Sequence, residues 1–268
     1  MPSSEKNSAR DKLSILVPAY NESANIEKTL KALGKYLVSQ GLDYEIVVVD
    51  DGSRDNTAQL ASNLEMDRVK VVRYQTNMGK GYAIRAAFDN STGDVLALFD
   101  AGLDYQPEHI TRFYWIMQAS GADMVIGSKR HPQSQVDYPW KRRVISSMAQ
   151  LMTKTLFNLN VKDTQVGMKV FRRRVLADIL PRALVKRFAF DIELLALAQR
   201  YGYKIIEAPV HMNFNFRTSA VNPKAIWNSG WDTLAIFYRL KILKFYDKPA
   251  AEREMILEKM RRRYSSKG

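Results

Sequence analysis

The stretch VLALFDAGLDYQPE, residues 95–108, joins a short apolar run to carboxylates. The run Val95–Phe99 has the length of one buried strand and is short for a helix. Asp100 and Asp104 follow it, and Pro107 stands where a helix can begin without losing a hydrogen bond. Carboxylates after a buried strand are typical of the ligand-binding edge of an open α/β sheet. The stretch therefore predicts a strand, a binding loop and a helix, with ordinary loop carboxylates as the alternative.

Strand-like and helix-like segments alternate on both sides of this stretch. The other apolar runs that predict strands cover residues 13–17, 44–49, 69–74, 122–127, 168–171 and 203–210. Runs that are apolar on both faces are typical of parallel strands covered by helices. The sequence therefore predicts a Rossmann-like, doubly wound, mostly parallel sheet with helices on both faces.

The segment after the first predicted strand has the spacing of an amphipathic helix. Asn21 and Ser23 are candidate caps for this helix. Its apolar positions fall on one face, at Ile26, Leu30, Leu33 and Leu37.

Polar side chains follow three of the predicted strands. Tyr20 and Glu22 come after the first, Asp51 after the second, and Asp100 and Asp104 after the fourth. Because the carboxyl ends of parallel strands meet at one edge, we expect these groups to converge. Paired carboxylates suit a hard divalent cation matched to a diphosphate. Asp51 can accept hydrogen bonds from a pyrimidine or guanine base, on which Tyr20 can pack.

The glycines beside Lys80 allow backbone and one cation to approach a phosphate, in the sequence Gly79-Lys80-Gly81. The spacing of a P-loop is missing, and no GxGxxG follows a strand, so neither nucleotide fingerprint is present.

The composition excludes several classes of site. The chain of 268 residues has no cysteine, and its three histidines lack zinc-like spacing, so any metal is expected to have oxygen ligands. The net charge of +13 predicts an anionic partner: nucleic acid, a phosphate-bearing substrate or a lipid surface. No nucleic-acid recognition motif is present, so nucleic acid is not expected. Without a membrane-spanning run or a signal peptide, the expected location is cytoplasmic.

Seven sequence words in a fixed order carry a family resemblance. They are VPAYNE (17–22), VVDDGS (48–53), NMGKGYAIRAA (77–87), FDAGLDYQPE (99–108), GSKR (127–130), DTQVGMKVFRR (163–173) and FDIELL (190–195). Residues 13–215 resemble a family 2 glycosyltransferase of the GT-A fold, in the polyprenyl-phosphate branch that includes dolichyl-phosphate mannose and glucose synthases. The last two words are closer to the glucose-transferring type, which implies UDP-glucose as donor.

The resemblance implies roles for individual residues. It implies that Asp100 binds Mg²⁺ or Mn²⁺ together with the diphosphate. We expect Asp104 to be the second metal ligand, and Asp163 and Gln165 are the candidates of the catalytic set that face the donor sugar. The lipid phosphate would be bound by Arg130, Arg142 and Arg143. The nucleotide sugar would be bound by Pro18, Tyr20, Glu22, Val49, Asp51, Lys80, Asp100, Ala101, Gly102, Lys129, Arg217 and Lys224.

Gly102 departs from the family pattern, which usually has Asp at this position and Gln at that of Asp104. We expect Asp104 to take over as the second metal ligand. The alternatives are weak metal binding, with basic residues balancing the diphosphate, and a catalytically weak scaffold protein.

Two stretches of the second half are candidates for lipid contact. Residues 140–157 predict a helix with a basic first turn and a broad apolar face, which resembles an interfacial helix; a core helix with a solvated basic end is the alternative. Residues 227–245 interleave aromatic, aliphatic and basic side chains, a pattern that suits docking on anionic lipid or, equally, packing across the catalytic domain.

The expected reaction is inverting transfer of glucose or mannose from a UDP- or GDP-sugar to a dolichyl or undecaprenyl phosphate, on the inner face of the membrane. A phosphate nucleophile is already anionic and needs no strong general base. A saccharide hydroxyl acceptor would need one, with Asp163 or Asp191 as candidates, while Glu193 is a candidate for catalysis or for helix capping.

The expected organisation is a disordered leader over residues 1–12, a catalytic domain over residues 13–226 and peripheral amphipathic helices over residues 227–268. A membrane-protein partner is a further candidate.

Overall fold

The centre of the molecule is a seven-stranded sheet. The computed structural model describes residues 11–102, 104–136, 150–186, 189–212 and 223–265, with the backbone alone for residues 223–226 and 260–265. The strands of these residues are β1 (Leu13–Ala19), β2 (Tyr44–Asp51), β3 (Val69–Tyr74), β4 (Val95–Leu98), β5 (Met124–Ser128), β6 (Gln135–Val136), β7 (Lys169–Arg172), β8 (Ile205–Pro209) and β9 (His211–Met212). The large sheet has the order β3-β2-β1-β4-β7-β5-β8, and β6 pairs with β9.

One strand of the large sheet is reversed. Neighbouring strands run parallel except β7, which lies antiparallel between β4 and β5. Residue Ala19 of β1 is opposite Asp50 of β2, and Lys169 of β7 is opposite both Leu98 of β4 and Ile126 of β5. The edge where the parallel strands end is therefore also the edge where β7 begins.

Helices connect and cover these strands. Within the described residues they are α1 (Ile26–Ser39), α2 (Thr57–Ser62), α3 (Lys80–Asp89), α4 (Glu108–Ser120), α5 (150–157), α6 (Arg173–Ile179), α7 (Phe190–Arg200), α8 (Pro223–Phe237) and α9 (Ala250–Ser265). A π-helical turn, Tyr238–Ile242, continues α8, and a short 3₁₀ helix, Phe245–Asp247, follows.

The core explains why the apolar runs form the central strands. Consecutive side chains of β1 and β2 are buried on both faces of the sheet, as expected for parallel strands between helices. All four predicted apolar positions of α1 are buried as well. The predicted doubly wound, mostly parallel sheet is confirmed, and α4 begins directly after Pro107, as its sequence indicates.

The predicted capping of the first helix is wrong. The helix begins after Asn25, and no side chain caps its first turn. Asn21, which has a φ of 56°, accepts a hydrogen bond from the Arg54 N–H instead. The Ser23 N–H donates to Asp55 at 3.1 Å. These two residues fasten the loop after β1 to the loop after β2, so their polar groups are used across the sheet edge.

The chain divides into two compact units, residues 1–220 and residues 221–268. The second contains α8, the π-helical turn, the 3₁₀ helix and α9. Among the described residues, no helix has the length and apolar character needed to cross a membrane.

The domain boundaries expected from the sequence stay a prediction, and the expected leader falls almost wholly outside the described residues. Of the helix expected over residues 140–157, the part over residues 150–157 is helical and the rest lies outside them.

Candidate active site

The loops after β1 and β2 form one continuous rim at the sheet edge. The Asn21 N–H donates to Ser53 Oγ at 2.9 Å, and the Glu22 N–H donates to Thr57 Oγ1 at 2.8 Å. Tyr20 keeps 41% of its surface exposed on this rim. An exposed ring beside a fixed loop is available for packing on a flat ligand, as the sequence predicts for a base.

Asp51 is buried and fastens the rim to the next loop. Its carboxylate accepts hydrogen bonds from the Tyr74 hydroxyl at 2.7 Å, the Met78 N–H at 2.7 Å and the Gly79 N–H at 2.9 Å. Burial and the neighbouring Asp51 raise the pKa of the Tyr74 hydroxyl, so it remains a donor. Three of the roughly four acceptor positions of a carboxylate are thus used within the protein. The predicted contact of Asp51 with a base stays a prediction.

The glycines on either side of Lys80 allow close backbone contact. Gly79 has a φ of 92°, and a β-carbon added there would lie 2.3 Å from the Lys186 carbonyl oxygen. The Gly81 N–H donates to the same carbonyl at 2.9 Å. Lys80, the first residue of α3, is therefore held in place by its backbone on both sides.

Four side chains form a row of alternating charge at this edge. The Lys80 ammonium lies 3.4 Å from Asp100 Oδ1 and 3.4 Å from Asp191 Oδ2. The Lys169 ammonium lies 2.7 Å from Asp191 Oδ1. We call Asp100, Lys80, Asp191 and Lys169 the charge row. Its acidic end is the residue at which the sequence predicted a metal.

Gly167 makes room for Asp100. A β-carbon added to this glycine would lie 1.7 Å from Asp100 Oδ2. Because Gly167 lies two residues before the start of β7, the reversed strand brings its backbone against the carboxylate that follows β4. The position of the Asp100 carboxylate therefore depends on the absence of a side chain at residue 167.

Asp104 belongs to a cluster of negative charge with Asp100 and Glu22. Burial, then the charges of Asp100 and Glu22, raise the pKa of Asp104 to about 6. A β-carbon added to Gly102 would lie 3.9 Å from Asp104 Oδ2 and 4.0 Å from Glu22 Oε1. Both carboxylates therefore border the space above Gly102, where the family usually has an aspartate side chain.

Comparison with known proteins identifies the family. The profile of Glycosyl transferase family 2 matches residues 14–180, more than half of the chain. The chain belongs to this family. The family expected from the seven sequence words is thereby confirmed.

The curated relatives of this family member are longer than the chain itself. A dolichyl-phosphate beta-glucosyltransferase of Dictyostelium discoideum is 30% identical over 215 residues, which cover 74% of this chain and 65% of that protein. Dolichyl-phosphate beta-glucosyltransferase ALG5C of Trichomonas vaginalis is 30% identical over 74% of this chain and 63% of that protein. Glycosyltransferase AglD of Haloferax volcanii is 28% identical over 86% of this chain and 38% of that protein. The chain thus spans less than two thirds of the length of each.

Solved structures share the fold of this family 2 chain. Glucosyl-3-phosphoglycerate synthase from Mycobacterium tuberculosis, in complex with UDP, matches with a TM-score of 0.68 at 18% identity, over 85% of this chain and 79% of that chain. The same enzyme in complex with Mn²⁺, UDP and glucosyl-3-phosphoglycerate matches with a TM-score of 0.67. The predicted GT-A fold is confirmed by this likeness.

In the loop before β7, Asp163 is buried. Asp163 accepts hydrogen bonds from the Lys129 N–H at 3.1 Å and the Gln165 N–H at 3.2 Å, while Gln165 itself is exposed. The Lys129 ammonium lies 3.8 Å from Asp163 Oδ2. Asp163 therefore joins the end of β5 to the loop before β7, and its predicted catalytic role stays a prediction.

Asp191 and Glu193 do not have the surroundings of a general base. Burial opposes the ionisation of Asp191, but the charges of Lys169 and Lys80 outweigh it and lower its pKa, which weakens Asp191 as a proton acceptor. Glu193 is buried and accepts hydrogen bonds from the Leu184 and Val185 N–H groups at 2.9 and 2.8 Å. The structure thus gives Glu193 a loop-fastening role in the first turn of α7.

The remaining predicted residues are unevenly placed. Val49 is buried, Pro18 is half-buried, and the Ala101 carbonyl accepts a hydrogen bond from Thr29 Oγ1 at 2.6 Å. Arg130 is exposed just beyond β5. The described part of the chain does not include Arg142, Arg143, Arg217 or the side chain of Lys224.

Proposed function

We propose that this chain transfers a hexose from a nucleotide sugar to a polyprenyl phosphate at a membrane surface. The observation that carries the proposal is the convergence, at one sheet edge, of an exposed Tyr20 with the carboxylates of Asp100 and Asp104 and the Lys80 ammonium. Aromatic, acidic and basic groups together suit a base, a divalent cation and a diphosphate. The relatives named as dolichyl-phosphate beta-glucosyltransferases support glucose and a polyprenyl phosphate.

The carboxylates fit a divalent cation. Mutual repulsion with Asp100 and Glu22 contributes to the raised pKa of Asp104, and such repulsion is relieved by a bound cation. Among the described residues, no group of three or more acidic or histidine side chains has a metal-binding arrangement. Mg²⁺ commonly takes only one or two protein carboxylates together with substrate phosphates. Asp100 and Asp104 can supply these two carboxylates. Bound Mg²⁺ or Mn²⁺ would stabilise the charge of the leaving diphosphate.

The proposed reaction is a direct displacement with inversion. A phosphate oxygen of the acceptor forms a bond to the anomeric carbon, and the bond from that carbon to the diphosphate oxygen breaks. The nucleoside diphosphate leaves with the electron pair, and its negative charge grows as the bond breaks. The Lys80 ammonium, beside Asp100, would balance this growing charge. The acceptor is already an anion and needs no proton acceptor, which agrees with the lowered pKa of Asp191.

An apolar face on α8 and the π-helical turn supports contact with lipid. Its exposed members recur every three or four residues, and Trp227 and Trp231 keep 68% and 59% of their surfaces exposed. Thr233, Ile236 and Leu240 are buried instead. We call the exposed set the aromatic face; it consists of Trp227, Trp231, Leu234, Tyr238 and Ile242.

The charge near the aromatic face favours an anionic membrane as its partner. Lys241 and Lys244 are exposed close to it, and residues 221–268 hold 11 lysines and arginines against five acidic residues. Tryptophan and tyrosine are enriched at membrane–water interfaces, and basic residues are attracted to anionic headgroups. We propose peripheral attachment to the inner face of the membrane through this surface.

A donor screen tests the proposed function. The chain is incubated with UDP- and GDP-sugars, polyprenyl phosphate and either Mg²⁺ or Mn²⁺, and release of UDP or GDP is measured. The expected result is turnover with UDP-glucose that is lost in Asp100→Ala. A saccharide acceptor in a parallel arm tests transfer to a hydroxyl group. Absence of turnover with every donor would contradict the proposal and favour the scaffold alternative that Gly102 suggests.

A further inference from the structure

Lys169 is a buried charged residue at the start of β7. Its side chain is fully buried, and the next two residues of β7, Val170 and Phe171, are apolar. Its backbone pairs with Leu98 of β4 and Ile126 of β5. Leu98 is two positions before Asp100 in the chain, so Lys169 lies near the end of β4 at which Asp100 follows. This buried position was not predicted, because the lysine stands in the otherwise apolar run VGMKVF, residues 166–171.

The Lys169 ammonium has two local partners. It donates a hydrogen bond to the Val166 carbonyl oxygen and forms an ion pair with Asp191 at 2.7 Å. Replacing a buried ion pair by apolar residues of similar size is often neutral or stabilising. Stability alone therefore does not explain why a charged pair occupies this position. The contacts of Asp191 indicate a second role for the pair.

The two carboxylate oxygens of Asp191 face different cations. Oδ1 pairs with Lys169 at 2.7 Å, and Oδ2 lies 3.4 Å from the Lys80 ammonium. The same ammonium lies 3.4 Å from Asp100 Oδ1. Lys80 is therefore shared equally between two carboxylates, and Lys169 neutralises one of them.

We propose that Lys169 is a positioning residue for the transfer reaction, which acts through Asp191 to hold the Lys80 ammonium beside Asp100. This inference rests on the proposed function, because the ligand that Lys80 would serve is the diphosphate of the nucleotide donor. Without Lys169, the buried Asp191 carboxylate has Lys80 as its nearest cation and draws it away from Asp100. The diphosphate then loses a cation that was placed in advance of binding.

The test uses variants that separate folding from positioning. Lys169→Met leaves Asp191 without its closest cation and is expected to lower the melting temperature. The double variant Lys169→Met/Asp191→Asn carries no uncompensated charge at either position and is expected to fold with a melting temperature near that of the wild type. Lys35→Met, which removes an exposed lysine from α1, is the matched control.

Binding of UDP and GDP is measured by calorimetry with Mg²⁺ or Mn²⁺ present. A correctly placed cation on a phosphate oxygen is a charge-assisted contact, so folded Lys169→Met is expected to bind at least about tenfold more weakly than the wild type and Lys35→Met. The double variant, in which residue 191 no longer attracts Lys80 away from Asp100, is expected to recover most of this binding. In turnover assays of Lys169→Met the donor KM is expected to rise while the acceptor KM stays unchanged. A purely structural role would reduce the active fraction and leave both KM values as they are.

Three outcomes would overturn the inference in distinguishable ways. A folded Lys169→Met variant that binds the nucleoside diphosphate as tightly as the wild type, with an unchanged donor KM, overturns the positioning role alone. A folded double variant that still binds about tenfold more weakly than the wild type also overturns it. A wild-type chain that binds neither UDP nor GDP overturns the proposed function, and the inference with it.

Discussion

At the scale of single residues, Gly167 controls the position of the Asp100 carboxylate. A β-carbon at residue 167 would lie 1.7 Å from Asp100 Oδ2, far inside van der Waals contact. Gly167→Ala is therefore expected to displace Asp100 and to weaken metal-dependent UDP binding by about tenfold or more. Calorimetric titration measures the binding, and a thermal melt shows whether the variant is folded.

Gly230→Ala is the control for this prediction. An added β-carbon at Gly230, within α8, meets nothing within 4 Å among the described residues. This variant is expected to bind UDP like the wild type. Unchanged binding by a folded Gly167→Ala variant would show that Asp100 does not need its observed position.

The raised pKa of Asp104 predicts a dependence of stability on pH. In the folded chain this pKa is about 6, against an ordinary value of 3.8, so the ionised carboxylate destabilises the metal-free fold above that range. After allowance for solvent screening, Asp104→Asn is expected to stabilise the metal-free chain by about 1 kcal/mol at pH 8, or roughly 2–4 °C in melting temperature. The gain should shrink as the pH falls through 6 and vanish near pH 4.

Thermal melts across this pH range test the prediction, and adding Mn²⁺ tests its origin. With the cation at pH 8, the wild type should gain more stability than Asp104→Asn, because only the wild type keeps the second carboxylate. A variant with the same gain at pH 4 and pH 8 would show that ionisation of Asp104 is not the cause.

The sequence predicted one end of the charge row and not the other. Asp100 and Lys80 follow strand and loop signals that are local in sequence. Gly167 acts through Asp100, 67 positions away, and Lys169 acts through Asp191, 22 positions away, so the sequence next to either residue does not reveal the contact. A lysine in an apolar run is a signal only once its buried partner is known.

At the scale of elements, apolar runs located the strands but not their directions. The pattern of β7 is the same whichever way the strand runs, so its reversal between β4 and β5 was not predicted. This reversal is what brings Gly167 and Lys169 to the edge where the parallel strands end. The active-site geometry therefore depends on a property of the strand that its side-chain pattern does not record.

The aromatic face of α8 gives a prediction at the same scale. Trp227→Ser/Trp231→Ser removes its two largest side chains and is expected to reduce binding to vesicles containing phosphatidylglycerol by about tenfold or more. Vesicle sedimentation measures the bound fraction. Trp115→Ser is the matched control, since Trp115 lies on α4 with 52% of its surface exposed.

Equal binding by the double variant and the control would rule out the aromatic face as the lipid contact. A change in sedimentation coefficient of the double variant without vesicles would indicate that this face instead joins two copies of the chain.

At the scale of the whole molecule, charge is divided along the sequence. Residues 1–128 carry 13 basic against 17 acidic side chains, whereas residues 129–268 carry 28 against 11. The half that supplies Asp100 and Asp104 is thus slightly acidic, and the half with the expected lipid-contacting segments is strongly basic. Composition predicted an anionic partner but could not by itself distinguish lipid from nucleic acid.

This division predicts that attachment depends on salt. Each basic residue near an anionic membrane contributes about 1 kcal/mol, and this attraction is screened over a Debye length of about 8 Å at physiological ionic strength. Binding to phosphatidylglycerol vesicles is expected to fall steeply between 50 and 500 mM NaCl (roughly a change in Debye length from 14 to 4 Å). Binding that is insensitive to salt would indicate attachment through apolar contact alone.

The open space above Gly102 has a consequence for engineering the enzyme. An added β-carbon meets its nearest oxygens at ordinary contact distances of 3.9 and 4.0 Å, so Gly102→Asp would add a further acidic group beside Asp104 and Glu22 with room for its β-carbon. The Gly102→Asp variant should keep its activity at higher chelator concentrations. In the metal-free state its melting temperature should fall, because the added carboxylate repels its acidic neighbours. Titrating EDTA against activity would show whether the glycine sets the metal concentration at which the native enzyme switches on.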